Sequence, residues 1–98
     1  MEKKNAHYET IFIVNAELAD EARDAIVAKF KTLIEENAEI TKFDEWGKRR
    51  MAYPINDMHD GYYVFISFVA PHTFPAELDR VYKITDGLLR SLIINIDE

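Results

Sequence analysis

The run Tyr62–Ala70, YYVFISFVA, constrains the fold of this chain more than any other stretch. β-Branched and aromatic residues fill it, which is strand composition, and Pro71 stops it. In a strand, successive side chains point to opposite faces. One parity holds Tyr62, Val64, Ile66 and Phe68; the other holds Tyr63, Phe65, Ser67 and Val69. Both are largely apolar. A sheet built on this strand must pack one face on another layer, and its second face still needs an explanation.

The rest of the chain supplies that layer. Tyr8–Asn15, YETIFIVN, is another β-rich run. Leu18, Ala22, Ile26, Phe30 and Leu33 recur at helical spacing, predicting an amphipathic helix near 18–36. Glu17, Asp20 and Glu21 stand where a helix dipole favours anions, and Asn37 is a plausible stop. Ile40–Tyr53 is a long second strand, bent or bulged at Gly47, with Pro54 at its end or on an edge. Asn56–Gly61 is a polar turn. Thr73 and Pro75 suit the start of a second helix. Leu78, Val81 and Tyr82, with Thr85, are its apolar stripe, and Asp86-Gly87 breaks it. Leu88–Ile96 is a last strand.

Strands near 7–15, 39–54, 61–70 and 88–97, with helices near 18–36 and 74–85, give the order β-α-β-β-α-β. That is an α+β, ferredoxin-like arrangement: a four-stranded antiparallel sheet with two helices on one face. Residues 1–98 are expected to be a single domain, because a chain of this length has no room for two cores. Val64, Ile66, Phe68, Tyr8, Phe12 and Val14 are assigned to the helix side. Tyr63, Phe65, Ile11 and Ile13 then lie on the open side, with Leu92 and Ile94 beside them. An exposed apolar patch of this kind marks a partner surface; the rival is a face covered by the chain's own second strand or tail.

Enzyme signals are weak. His7, His59 and His72 are too scattered for metal spacing, so no metal is expected. The three glycines form no phosphate loop. Ser67 and Ser91 lie in strands rather than at a nucleophile turn. Glu35-Glu36 and Asp97-Glu98 sit at element ends, where carboxylates are solvated. No cofactor and no small-molecule substrate are expected. The chain has no cysteine, which excludes disulfide and thiol chemistry and suits a reducing cytosol. MEKKNAHYET lacks the apolar core of a secretory signal, and no apolar run is long enough to span a bilayer.

The net charge is −6, which opposes unaided binding to nucleic acid. Yet Lys48, Arg49 and Arg50 stand together in WGKRRMAYP. Alternation sends Lys48 and Arg50 to one face and Arg49 to the other, unless a bulge at Gly47 resets the phase. Arginine pairs with phosphate through two hydrogen bonds, and Trp46 and Tyr53 stand close enough in sequence to stack or hydrogen-bond. A solvated cationic edge that discourages sheet-to-sheet aggregation explains the charge equally well.

These residues resemble a known family. WGKRRMAYPIND followed by GYYVFISF is similar to the bacterial small-subunit ribosomal protein six family, through Gly47, Arg49, Arg50, Met51, Ala52, Tyr53, Pro54, Ile55, Gly61 and Tyr62. HYETIFIVNAEL and ITDGLLRSLIIN fit its start and its last strand. The family's variable acidic tail is nearly absent. The resemblance implies a ferredoxin-like, non-enzymatic constituent of the small ribosomal subunit in the cytoplasm. It also implies a heterodimer with small-subunit ribosomal protein eighteen that binds the central domain of the small-subunit ribosomal RNA and acts in assembly and translation. Lys48, Arg49, Arg50 and Tyr53 are the candidate RNA-binding residues. Trp46, Tyr63 and Phe65 are the candidate partner-protein contacts. A basic partner would supply most of the phosphate neutralisation that this acidic chain lacks. The alternative is a small ferredoxin-like enzyme or ligand sensor that homodimerises through the open face. It would project a polar group, such as Thr10 or Ser91, into an enclosed pocket.

Overall fold

Six elements follow one another in the computed structural model: β1 (Asn5–Asn15), α1 (Asp20–Asn37), β2 (Glu39–Ile55), β3 (Met58–Pro71), α2 (Phe74–Ile84) and β4 (Leu88–Asn95). The structure describes residues 5–55 and 58–96, with the side chains of 52–55 and 58–59 excepted. The strands form one sheet in the order β2-β3-β1-β4, antiparallel throughout. β1 and β3 are central, and β2 and β4 are the edges. The order and the antiparallel sheet are those the sequence predicts.

Both helices pack on one face. Tyr8, Phe12 and Val14 of β1 and Val64, Ile66 and Phe68 of β3 meet Val27, Phe30 and Ile34 of α1 and Leu78, Val81 and Tyr82 of α2 in one core. The Phe30 ring lies 4.7 Å from that of Tyr82 and 5.3 Å from that of Phe12. Sealing an aromatic or branched aliphatic side chain from water contributes roughly 1.5–3 kcal/mol, so this layer dominates the stability. The sequence-based assignment of sheet faces holds.

Among the described residues, a pair of hydroxyls is sealed inside. The Thr10 hydroxyl, fully buried, donates to the Leu92 carbonyl at 2.9 Å and accepts from the Tyr82 hydroxyl at 2.8 Å. It is satisfied within the core and ties α2 to β1 and β4. It therefore does not serve as the free pocket group that an enzyme or sensor would need.

Several expectations are corrected in detail. The buried stripe of α1 is Val27, Phe30 and Ile34, while Ala22 is exposed and Leu18, Ile26 and Leu33 lie at its margin. The apolar arc of this helix is wider than one row, and docking selects its centre. Thr73 sits at the start of α2 but makes no capping hydrogen bond; its φ of −83° and ψ of −16° are already helical, whereas a capping side chain requires extended backbone. Its counterpart Thr85 closes the helix, donating to the Val81 carbonyl at 2.6 Å. Asn37 ends α1 as expected, its side-chain amide donating to the Leu33 carbonyl.

The polar turn is shorter than Asn56–Gly61. β3 already begins at Met58, which pairs with Ile55, and Asp60 pairs with Arg50; Asn56 and Asp57 lie outside the described residues. Asp60 joins the ladder because this part of the hairpin runs on beyond the end of β1. β2 and β3 are accordingly the longest strands, and the molecule measures 48 × 25 × 23 Å.

Candidate binding face and cationic arm

The register decides which side chains share the helix-free face. Ile11 pairs with Phe65 and Ile13 with Tyr63 across β1 and β3. Ile11 also pairs with Leu92, Glu9 with Ile94 and Ile13 with Arg90 across β1 and β4. Leu92 and Ile94 are 53% and 42% exposed and Trp46 is 40% exposed. These are large apolar groups left in water on the face opposite the helices. Ile11, Ile13, Arg90 and Leu92 line a shallow groove of about 240 Å³ there.

The bulge expected at Gly47 is present. The register shifts between Glu45 and Gly47, and Gly47 has φ +86°, a backbone conformation in which a side chain is strained. The extra residue resets the alternation. Asp44 pairs with Phe65 on the open side, whereas after the bulge Gly47 pairs with Tyr63 and Arg49 with Gly61 on that side. Trp46 keeps its ring on the open face and stacks on Phe65 at 5.7 Å with 6° between the planes. Tyr63 lies 6.4 Å from it. The Arg49 guanidinium is 5.5 Å from the opposite part of this stack, over Trp46, and its Nε donates to the Trp46 carbonyl at 3.4 Å. Lys42 sits 6.0 Å from the Phe65 ring. A cation over an aromatic face is attracted by the ring quadrupole, so the two charges favour the stacked arrangement.

The basic run is thus divided. Arg49 belongs to the aromatic face. Lys48 and Arg50 pair with Tyr62 and Asp60 and project to the other side, where the hairpin passes the start of α1. All three cations are exposed. Trp46, Tyr63 and Phe65 therefore come together, with Arg49 joining them, while Lys48 and Arg50 stand apart on the back of the same hairpin. Tyr53 lies in β2, and its side chain is outside the described residues.

Sequence reasoning missed a second cluster at the root of this hairpin. The Arg23 guanidinium of α1 lies 4.3 Å over the Tyr62 ring and reaches Asp20 at 2.9 Å and Asp24 at 3.2 Å. The Tyr62 hydroxyl donates to the Glu45 carboxylate. That hydrogen bond, aided by partial burial, pushes the Tyr62 phenol above the ordinary tyrosine range. On Arg23, desolvation pulls the pKa down, but the hydrogen bond and charge of Asp24 and the charge of Asp20 outweigh it and raise the value. The only sequence signal was a basic residue on a face of α1 otherwise rich in acids. Gly61 was a second unread signal: a Cβ there would lie 2.3 Å from Ile13 Cγ2 and 3.5 Å from Met51 Sδ. Both side chains occupy the space the glycine leaves.

A ferredoxin-like sheet with a bare aromatic face and a cationic hairpin defines a class: a protein that works through surfaces offered to other macromolecules. Comparison with known proteins places it within that class. The family model described as Ribosomal protein S6 matches residues 7–95. Small ribosomal subunit protein bS6 of Thermoanaerobacter pseudethanolicus is 52% identical, over 93% of this chain and 97% of its own length. The Clostridium novyi protein of the same name is 48% identical, over 91% and 95%. The crystal structure of 30S ribosomal protein S6 from Thermotoga maritima superposes with a TM-score of 0.88 at 30% identity, covering 94% of this chain and 88% of that one. The chain belongs to the ribosomal protein S6 family. It is a structural, non-enzymatic component of the bacterial small ribosomal subunit, working in the cytoplasm within the ribosome among ribosomal RNA and other ribosomal proteins.

Proposed function

We propose that this chain binds the central domain of the small-subunit ribosomal RNA as a heterodimer with small-subunit ribosomal protein eighteen, and acts as one domain in subunit assembly. The aromatic face, with Trp46, Tyr63 and Phe65, takes the partner protein. The arm, with Lys48, Arg49, Arg50 and Tyr53, takes RNA phosphates. The observation that carries the reading is the division of one hairpin: a stacked aromatic surface with Arg49 over it on one side, and the exposed Lys48 and Arg50 on the other. A net charge of −6 requires a basic companion, since phosphate neutralisation dominates affinity for RNA.

The test is to titrate the same RNA fragment with this chain alone and with the heterodimer, at one salt concentration. Binding should be weak alone, tighten markedly with the partner, and weaken as salt is added. Equal affinity with and without the partner would overturn the proposal.

A further inference from the structure

The β2–β3 hairpin leaves the sheet at a definite row. Tyr62 has Val14 on one side and Lys48 on the other, and Gly61 has Asn15 and Arg49. One step further, Asp60 pairs with Arg50 and the β1 ladder has ended. The three cations therefore straddle the line at which a three-stranded sheet becomes a two-stranded ribbon. A free ribbon twists more strongly than a sheet and is marginally stable by itself. What holds it at this row decides where the cations point.

On the open side, Ile13 and Met51 close over Gly61. On the helix side the tie is polar and directional. Tyr62 Oη donates to Glu45 of β2, and the Tyr62 ring lies under Arg23. Arg23 is fastened to the first turns of α1 through Asp20 and Asp24. The chain of contacts runs from α1 through the ring to Glu45 of β2, while Lys48 is the register partner of Tyr62 itself. A phenylalanine would fill the same space, so packing alone does not call for the hydroxyl.

We infer that Tyr62, clamped between Arg23 and Glu45, is a positioning residue that holds the β2–β3 arm at the angle at which Lys48, Arg49 and Arg50 meet phosphate. This rests on the reading of the arm as an RNA contact and names the device that aims it. Loosening the clamp removes no cation. It lowers the fraction of molecules whose arm is correctly set, and apparent affinity falls by that fraction. The number of counterions released on binding stays the same, so the salt slope does not move. Loss of a contacting cation behaves differently, lowering affinity and slope together.

The experiment uses Tyr62→Phe, the double variant Arg23→Gln/Tyr62→Phe, and Glu45→Gln, whose amide oxygen still accepts the hydrogen bond. Residual dipolar couplings of the free protein report the orientation of the 48–50 amides relative to α1. Titrations of the heterodimer against RNA at several salt concentrations report affinity and slope. Tyr62→Phe should shift the 48–50 couplings, leave those of β4 unchanged, and weaken RNA binding about 3–10-fold at constant slope, as a competent fraction of roughly 0.1–0.3 requires. Glu45→Gln should shift the same couplings in the same direction but less, because a neutral amide oxygen accepts a weaker hydrogen bond than a carboxylate. Unchanged 48–50 couplings in the double variant would overturn the inference, whatever happens to RNA binding. So would an affinity loss accompanied by a lower slope. Arg50→Ala is the control for the underlying reading: if it alters neither affinity nor slope, the arm is not an RNA contact, and that reading fails separately.

Discussion

Trp46 and Phe65 stack across two strands, 5.7 Å apart and within 6° of parallel, on the side of the sheet that no helix covers. Flat aromatic pairs in that position present a broad apolar plane to a partner. Interface hot spots are enriched in such anchors. Phe65→Ala should weaken heterodimer formation by about 2 kcal/mol, roughly 30-fold. Its effect on the free protein should stay well below the ~3–5 kcal/mol of a core phenylalanine deletion. Phe68→Ala, at a fully buried position, should show that full core loss. Chemical denaturation and partner titration of both variants check the pair. A core-sized stability loss for Phe65→Ala would contradict the assignment of the faces.

The divided cations should separate in function. Arg50→Ala removes a charge from the back of the arm, so it should weaken RNA binding evenly across RNA variants and lower the salt slope by about 1. Thermal stability should hardly change. Arg49→Ala also removes the cation over Trp46, so it should weaken partner binding as well. If the cations serve only to discourage edge-to-edge aggregation, both variants will bind RNA as wild type does and lose solubility instead.

Gly61→Ala should destabilise the fold by about 1–3 kcal/mol, the usual range for overpacking. The new methyl would meet Ile13 Cγ2 at 2.3 Å. Adding Ile13→Ala removes the obstructing atom, so the double variant should cost less than the sum of the single ones. Denaturation midpoints of the four proteins form the cycle, and strict additivity would show that the crowding at Gly61 is unimportant.

Burial pushes the Tyr82 phenol well above the ordinary tyrosine range. The folded protein therefore keeps a proton that the unfolded chain releases near pH 10. Stability from this group is complete below about pH 10 and falls as pH rises beyond it, because there the native state binds more protons. Tyr82→Phe should flatten that alkaline limb. It should also lose about 0.5–1.5 kcal/mol at neutral pH, from the hydrogen bond to Thr10. Urea unfolding of both proteins between pH 8 and pH 11 measures the effect; an unchanged limb would mean that Tyr82 is not its source.

The fold was legible because its signals are local and periodic. Apolar parity located β1 and β3, and Pro71, Pro75 and the Asp86-Gly87 pair punctuated α2 and its neighbours. The bulge was legible at Gly47, but its effect on the cations was not, since the phase after a bulge depends on the partner strand. The rows that α1 buries were misjudged, because Val27 and Leu33 lie on adjacent rows and only docking chooses between them. Trp46, Tyr63 and Phe65 could be grouped from alternation and proximity. The joint of Arg23, Tyr62 and Glu45 could not, because it joins three elements through contacts that no periodicity encodes.

The central position of β1 has a consequence for how the molecule is made. β1 precedes both of its neighbours in the chain, and Thr10 lies 82 positions before the carbonyl of Leu92 to which it is bonded. At roughly 5–20 residues per second, translation takes about 4–16 s to cover that distance. Until Tyr82 is added, 72 positions after Thr10, the nascent strand has no β4 to pair with and the Thr10 hydroxyl has neither of its native partners. A sheet closed by such distant pairings forms slowly. For this chain the period of greatest exposure to misassembly is its own synthesis, on a particle of the kind it helps to build.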